Sequence, residues 1–228
     1  MESRWRSLVF QKWFPLKCIS WMSLGISFFL SQAQAQHLPL PKILKEIEKI
    51  YSQSKTISAQ FSQVNENAAL SSKKMSQGTL LIKLPSKIRW ETKSPDSNLL
   101  VSDGHHFWFY TPPFETGEMG QVIQKKSSEV QTQLATALLA GSFSSQNLTI
   151  RQESPFRFSL TPKPGSAGTV IRVILEINPT QKRVQKVNLE HQGGNRTEIT
   201  LSEIELGVSL KDELFFFKPP PHTESISD

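Results

Sequence analysis

The sequence predicts an α+β fold, in which an antiparallel β meander or barrel carries a small number of helices. From Ile57 onward, apolar residues recur at every second position in short segments, as they do in strands with one buried face. Turn-forming residues separate these segments at regular intervals, which is typical of antiparallel sheets and barrels. Two segments, 38–54 and 128–141, instead show the period of an amphipathic helix.

The first 35 residues predict a cleaved secretory signal peptide that takes no part in the fold. An apolar core at 18–30 is too short to span a membrane, and Ala33 and Ala35 mark a cleavage site. This shortness also disfavours the alternative, a retained membrane anchor. We therefore expect a single mature domain at 36–228, with 222–228 as a disordered tail. Four bases make the leader positive: Arg4, Arg6, Lys12 and Lys17.

Cysteine usage and charge narrow the class of protein. The only cysteine, Cys18, lies in the leader, so packing without disulfides must stabilise the mature chain. The full chain has 26 basic and 20 acidic residues, and removing the four leader bases and Glu2 leaves 22 against 19. Because this small excess forms no basic stripe, we expect no nucleic-acid partner. We also expect a monomer.

The first helix, predicted over 38–54, begins where Pro39 and Pro41 are tolerated. Its apolar stripe consists of Ile43, Leu44, Ile47, Ile50 and Tyr51. Eleven strand candidates follow, at residues 57–64, 75–84, 87–93, 98–103, 105–111, 118–125, 147–153, 157–162, 170–177, 184–191 and 196–206. The second helix, predicted over 128–141, begins with a capping box at Ser128–Gln131 and ends at Gly141.

The most informative strand is the aromatic run Phe107–Tyr110, which follows an Asp103-Gly104 hairpin turn. Four consecutive aromatic residues place rings on both faces of a sheet. Ordinary packing can bury one face, whereas the second needs a lid, a partner or an apolar ligand. An open sheet covered by helices can keep an apolar space of this kind.

The residues that suggest catalysis or metal binding have structural explanations. Ser102, Asp103, His105 and His106 are the residue types of a hydrolase, but no Gly-x-Ser-x-Gly turn is present. The five histidines lack the spacing of metal ligands. No glycine-rich phosphate loop occurs in the sequence. We therefore expect no catalytic site, no metal and no cofactor.

Short motifs occur in order along nearly the whole mature chain. They are Ala59–Gln63, Gly78–Leu80 with Pro85, Arg89-Trp90, Pro95-Asp96, Leu100–Gly104, Trp108–Pro112 and Phe215–Pro220. The S-D-G-x-x-x-W-x-Y-x-P run, together with R-W and the upstream F-x-Q, resembles the LolA family of outer-membrane lipoprotein carrier proteins.

That resemblance implies an incomplete, unclosed antiparallel β-barrel of about eleven strands, with a helical lid over an apolar cavity. It implies a periplasmic chaperone, not an enzyme, that takes acylated lipoproteins from an inner-membrane ABC transporter to an outer-membrane receptor lipoprotein. Exposing one acyl chain to water costs on the order of 10 kcal/mol. Such a carrier therefore needs a hydrocarbon-like cavity.

Strand alternation and the two helical stripes supply candidate residues for this cavity. The predicted lining consists of Leu80, Ile82, Ile88, Trp90, Leu100, Phe107 and Phe109. The predicted underside of the lid consists of Ile43, Ile47, Leu134 and Leu138. A slip of one residue in the strand register would exchange the two faces of the sheet.

Position 84 departs from the family pattern. The family commonly carries an arginine immediately before the proline that corresponds to Pro85. That arginine is thought to latch the closed lid by donating hydrogen bonds to backbone carbonyls of a helix. Here the residue is Leu84, which cannot donate a hydrogen bond, and neither Lys83 nor Arg89 is an obvious substitute. We therefore hypothesise that apolar contacts mainly hold the lid.

Two other functions remain open at the level of sequence. A related half-barrel could bind or sense another amphiphile, such as a glycolipid intermediate. A secreted hydrolase is the more distant alternative. Release of labelled lipoproteins from membranes would separate the carrier from the amphiphile-binding module, and alanine at Ser102 and His106 would test the hydrolase.

Overall fold

A computed structural model describes residues 40–126 and 133–226. All of them lie in one compact unit, His37–Asp228. The predicted signal peptide and the capping box at Ser128–Gln131 lie outside the described residues. Among the helices within these two ranges, none is both long and apolar enough to cross a membrane.

One sheet of twelve strands forms the scaffold. The strands form where apolar residues alternate with polar ones, so that each strand buries one face and exposes the other. Their bounds are β1 Thr56–Asn67, β2 Ser72–Lys83, β3 Lys87–Ser94, β4 Asn98–Ser102, β5 His106–Thr111, β6 Gly120–Lys126, β7 Leu148–Ser154, β8 Arg157–Pro162, β9 Val170–Asn178, β10 Arg183–His191, β11 Arg196–Leu206 and β12 Thr223–Ile226.

The strand order is β12-β6-β5-β4-β3-β2-β1-β11-β10-β9-β8-β7. Neighbours are antiparallel, with the exception of β12 and β6, which are parallel. The pairing of β1 with β11 joins the first half of the sheet to the second. Within the described residues the edge strands β12 and β7 do not pair with each other, so the barrel is unclosed. The predicted fold class is confirmed.

All eleven predicted strands are present, with ends that shift by a few residues. The twelfth, β12, lies in the segment predicted to be a disordered tail, and that prediction is wrong for Thr223–Ile226. Its sequence, TESI, has one apolar residue and so gives no alternating pattern that would predict a strand. Backbone pairing with β6 holds it instead. The edge of β6 offers unpaired backbone groups, and β12 satisfies them.

Two α-helices accompany the sheet. Helix α1, Lys42–Ser54, buries Leu44, Ile47 and Tyr51, and it ends at Lys55 in the left-handed conformation. Helix α2 is described over Gln133–Leu139, and Gly141 follows it with φ of +74°. A side chain at Gly141 would also collide with the ring of Tyr51, so the glycine permits both the turn and the close packing of the two helices.

The chain after β11 crosses the convex face of the sheet. It forms a 3₁₀ helix at Asp212–Phe215. Phe215 is fully buried, and Asp212 accepts hydrogen bonds from Lys83 and Lys87 at 2.8 and 3.0 Å. A buried ring and an ion-pair cluster therefore hold this segment against β2 and β3.

Candidate ligand-binding site

The concave face of the sheet contains a cavity of about 490 Å³, within the range typical of ligand sites. Both halves of the sheet contribute to its wall, and α2 contributes Leu134 and Ala135. The predicted residues Trp90, Leu100 and Phe109, together with Leu134, line this cavity. They lie on β3, β4, β5 and α2. In the register of the sheet, Trp90 is opposite Leu100 and Leu100 is opposite Phe109.

The other predicted lining residues lie deeper or to one side. Ile82, Ile88 and Phe107 line a separate cavity of about 280 Å³ next to α2. Leu80 is fully buried in the apolar core. All seven belong to, or pack against, one apolar cluster, so they share the concave face as strand alternation predicted. Their contact with an acyl chain stays a prediction.

The cavity wall changes from apolar to polar along neighbouring strands. On β1, Phe61 is buried, and Gln63 and Asn65 follow it on the same face. On β11, Leu201 is opposite Phe61 and Thr197 is opposite Asn65. Paired residues in an antiparallel sheet share a face. On this face β1 is polar from Gln63, which is opposite Ile199, and β11 becomes polar two residues further along, at Thr197. The cavity therefore matches a molecule with one apolar and one polar part.

Among the polar side chains that line the cavity, five on or next to β1, β9, β10 and β11 form two hydrogen-bonded groups, and we call these five the polar end. They are Gln63, Asn65, Thr169, His191 and Thr197. The Oδ1 atom of Asn65 accepts hydrogen bonds from Gln63 Nε2 and Thr197 Oγ1, both at 3.0 Å. Thr169 Oγ1 lies 3.0 Å from His191 Nδ1. His191 Nε2 is buried and has no hydrogen-bond partner among the described residues. Burial lowers the pKa of His191, which favours the neutral imidazole.

The predicted lid residues are found on both helices, in different roles. Leu138 and Ile47 are fully buried, whereas Ile43 and Leu134 are half-buried against the apolar cluster. The buried stripe of α1 also includes Tyr51, whose hydroxyl oxygen accepts a hydrogen bond from the Val184 amide at 3.1 Å. Helix α1 is therefore packed into the core, and of the two helices α2 contributes the wall of the larger cavity.

A carboxylate on α1 binds the chain that follows α2. Glu48 Oε1 accepts hydrogen bonds from the amides of Phe143 and Ser144 at 2.7 and 2.6 Å, and Oε2 accepts one from the Ser144 hydroxyl at 2.7 Å. Glu48 lies outside the apolar stripe that the sequence predicts for this helix, and its partners lie about 95 residues further along the chain, so local sequence does not reveal this contact. These hydrogen bonds add to the apolar contacts of the two helices, and the hypothesis that apolar contacts mainly hold the lid stays a prediction.

Leu84, at the position of the family's latch, packs half-buried against the apolar cluster. Its backbone amide donates to the carbonyl of Lys55, the residue after α1, at 2.8 Å. A main-chain contact, not a side-chain hydrogen bond, therefore joins this position to the end of the helix.

Sequence reasoning missed the contribution of the second half of the sheet. Val170, Leu189 and Ile199 line the cavity with Ala167. Their strands were predicted, and alternation within 184–191 and 196–206 could have identified their faces. What the sequence could not supply is the long-range pairing of β1 with β11, which brings them opposite the aromatic strands.

The candidate hydrolase residues do not form a catalytic group. Ser102 is opposite Ile88 and Phe107 on the concave face, whereas His106 lies on the other face. The Ser102 hydroxyl oxygen accepts a hydrogen bond from the Gly104 amide at 3.1 Å. Asp103 accepts hydrogen bonds from the amides of the two following histidines, as expected for a hairpin turn. The described residues also contain no cluster of three or more His, Cys, Asp or Glu residues suited to a metal.

The fold and its cavity define the class of protein as an open β half-barrel with an internal cavity lined by apolar and polar side chains. A family model described as outer membrane lipoprotein carrier protein LolA matches residues 52–218. The chain belongs to the LolA family.

Relatives described as outer-membrane lipoprotein carrier protein extend over most of the chain. The one from Vibrio parahaemolyticus is 31% identical over 210 residues, covering 92% of this chain and 95% of the relative. The one from Azotobacter vinelandii is 27% identical over 207 residues, covering 90% of this chain and 95% of the relative. A solved structure of a LolA superfamily protein from Nitrosomonas europaea is 15% identical with a TM-score of 0.45, covering 77% of this chain and 96% of that one.

Proposed function

We propose that this chain is a periplasmic, non-catalytic carrier of acylated lipoproteins. It receives them from an inner-membrane ABC transporter and delivers them to a receptor lipoprotein on the outer membrane. Membership of the LolA family supports this role, as do relatives described as lipoprotein carriers. The cavity is the part of the molecule that performs it.

The observation that carries the proposal is the apolar part of the cavity wall. Trp90, Leu100, Phe109 and Leu134 present hydrocarbon and ring surface to an internal space of about 490 Å³. An acyl chain that leaves a bilayer loses on the order of 10 kcal/mol of hydrophobic stabilisation, which such a wall can replace. Because dispersion and hydrophobic contacts are not directional, the wall can accept chains of different length and still release them.

The chain provides two tryptophans that test where the acyl group binds. The first 35 residues contain three of the five tryptophans, so a protein without them keeps Trp90 and Trp108. Trp90 lines the cavity and its ring lies 4.7 Å from that of Phe61. Trp108 is opposite Val101 on the convex face, beside His106. The two rings therefore report on opposite faces of one sheet.

The experiment uses two single-tryptophan proteins, Trp108→Phe and Trp90→Phe, and a triacylated lipopeptide with bromine atoms on its acyl chains. Bromine quenches indole fluorescence only at short range. We expect saturable quenching of Trp90 in the first protein and little quenching of Trp108 in the second. Equal quenching of both, or quenching of neither, would refute acyl binding on the concave face.

Directional transfer needs a second test in the native cell. Depleting the protein should leave outer-membrane lipoproteins in the inner membrane, as measured by membrane fractionation. Restoring the wild-type protein should return them, whereas Trp90→Glu should not, because a carboxylate in the apolar wall would be desolvated by acyl chains. Trp108→Glu is the matched control on the convex face. Unchanged fractionation after depletion would contradict the transport role.

A further inference from the structure

We infer that the polar end of the cavity binds the ester carbonyls that join acyl chains to the glycerol of a lipid anchor. This inference rests on the proposed function and assigns it a second subsite, distinct from the apolar wall. The acyl chains would lie against Trp90, Leu100 and Phe109, with the ester groups beside His191 and Asn65.

His191 supplies the strongest observation for this subsite. Its Nε2 atom is buried and lacks a hydrogen-bond partner among the described residues, although buried polar atoms are nearly always paired. The ring is held by Thr169 Oγ1, 3.0 Å from Nδ1. When the threonine hydroxyl donates to Nδ1, the imidazole proton lies on Nε2, which can then donate to a ligand. His191 lines both the main cavity and an adjoining polar one of about 390 Å³.

The chemistry of the polar end favours an uncharged ligand group. Its other members carry amide and hydroxyl groups, and burial favours the neutral form of His191. The charged groups that also line the cavity, Lys74 and Asp96, pair with each other at 2.6 Å. A carbonyl oxygen can accept a hydrogen bond from this set without bringing an unbalanced charge into the cavity, whereas a phosphate or carboxylate would bring one.

Spacing along the strands places the polar end directly next to apolar residues of the wall. Leu189 and His191 lie on the same face of β10, two residues apart, which is roughly 7 Å along the strand. On β11, Thr197 and Ile199 have the same relation. A carbonyl at the polar end therefore directs the first methylene groups of its acyl chain against Leu189 and Ile199.

A pair of lipids that differ only in these carbonyls tests the inference. The probes are a diacylglycerol lipopeptide and its dialkyl ether analogue, with equal chain length and bromine position, titrated into the Trp108→Phe protein. We expect the ester to bind about fivefold more tightly, the effect of one hydrogen bond. His191→Leu should remove this preference and His191→Gln should retain part of it. His105→Leu, at an exposed histidine in the β4–β5 turn, should leave it unchanged.

The outcomes separate a failure of the ester subsite from a failure of the proposed carrier function. Equal affinity for ester and ether in the Trp108→Phe protein would overturn the inference and leave the carrier function intact. A preference that survives in His191→Leu would also overturn it. Quenching by neither lipid would instead contradict the proposed function. If His191→Leu does not fold, Thr169→Val supplies the second variant, because it removes the hydroxyl that orients the ring.

Discussion

Replacing Glu48 with alanine would separate the contribution of one carboxylate from that of the apolar contacts between α1 and the chain after α2. The side chain accepts three hydrogen bonds, at 2.7, 2.6 and 2.7 Å, from Phe143 and Ser144. Hydrogen bonds to a charged group contribute about 1.5–3 kcal/mol each in protected surroundings. This carboxylate is half-buried and one side chain makes all three bonds, so their total contribution to stability is smaller than three times that value.

We expect Glu48→Ala to cost about 2 kcal/mol, which is roughly a 30-fold shift towards the state in which this segment is undocked. Amide hydrogen exchange at Phe143 and Ser144 measures that shift directly, because these amides are the donors. Their exchange should accelerate by a similar factor, and the free energy of unfolding should fall. Glu48→Gln should lie between wild type and alanine, because one amide oxygen can still accept.

Glu46→Ala is the matched control on the same helix. Glu46 forms an ion pair with Lys182 at 2.6 Å, and both side chains are substantially exposed. Exposed ion pairs contribute less than about 1 kcal/mol, so exchange at Phe143 and Ser144 should barely change. If Glu48→Ala leaves that exchange unchanged, or if Glu46→Ala accelerates it equally, the carboxylate does not fix this segment.

Three further substitutions test other parts of the structure. Gly78→Ala should lower the free energy of unfolding by at least about 3 kcal/mol in a denaturant titration, because the new methyl group would overlap the carbonyl oxygen of Glu91; a near-neutral effect would contradict this packing. Burial raises the pKa of Asp103, but hydrogen bonds from two backbone amides lower it by more, so the net pKa lies below its usual value. The ionised carboxylate therefore stabilises the fold, and wild type should lose this stability as the pH falls below roughly 4, whereas Asp103→Asn should lose less. Equal acid sensitivity would exclude that contribution. Leu84→Arg should slow probe release a few-fold in stopped-flow measurements, because Leu84 adjoins the carbonyl end of α1 at Lys55; an unchanged release rate would show that no latch forms.

The part of the apolar wall that lies on β3, β4 and β5 could be predicted from local sequence. Period-two alternation made Trp90, Leu100 and Phe109 candidates for one face, and the strand register shows that Trp90 is opposite Leu100 and Leu100 opposite Phe109. The prediction agrees with the structure because β2 to β5 pair in sequence order, so each strand lies beside the strand that precedes it in the chain.

The polar half could not be predicted in the same way. Asn65, Thr197 and His191 carry the residue types of exposed strand ends, and only the pairing of β1 with β11 turns them towards one cavity. Glu48 was missed for a related reason, since seven described strands and helices lie between it and its partners. Polar side chains reveal their role through distant partners, which hydrophobic periodicity does not encode.

The parallel pairing of β12 with β6 has a consequence for biosynthesis. Until Thr223–Ile226 docks, a folding molecule passes through a stage in which one side of β6 is bare. Such a side is a template for strand addition by another chain. Truncating the final residues would therefore damage yield through self-association of newly made molecules, even though these residues lie outside the set that lines the large cavity.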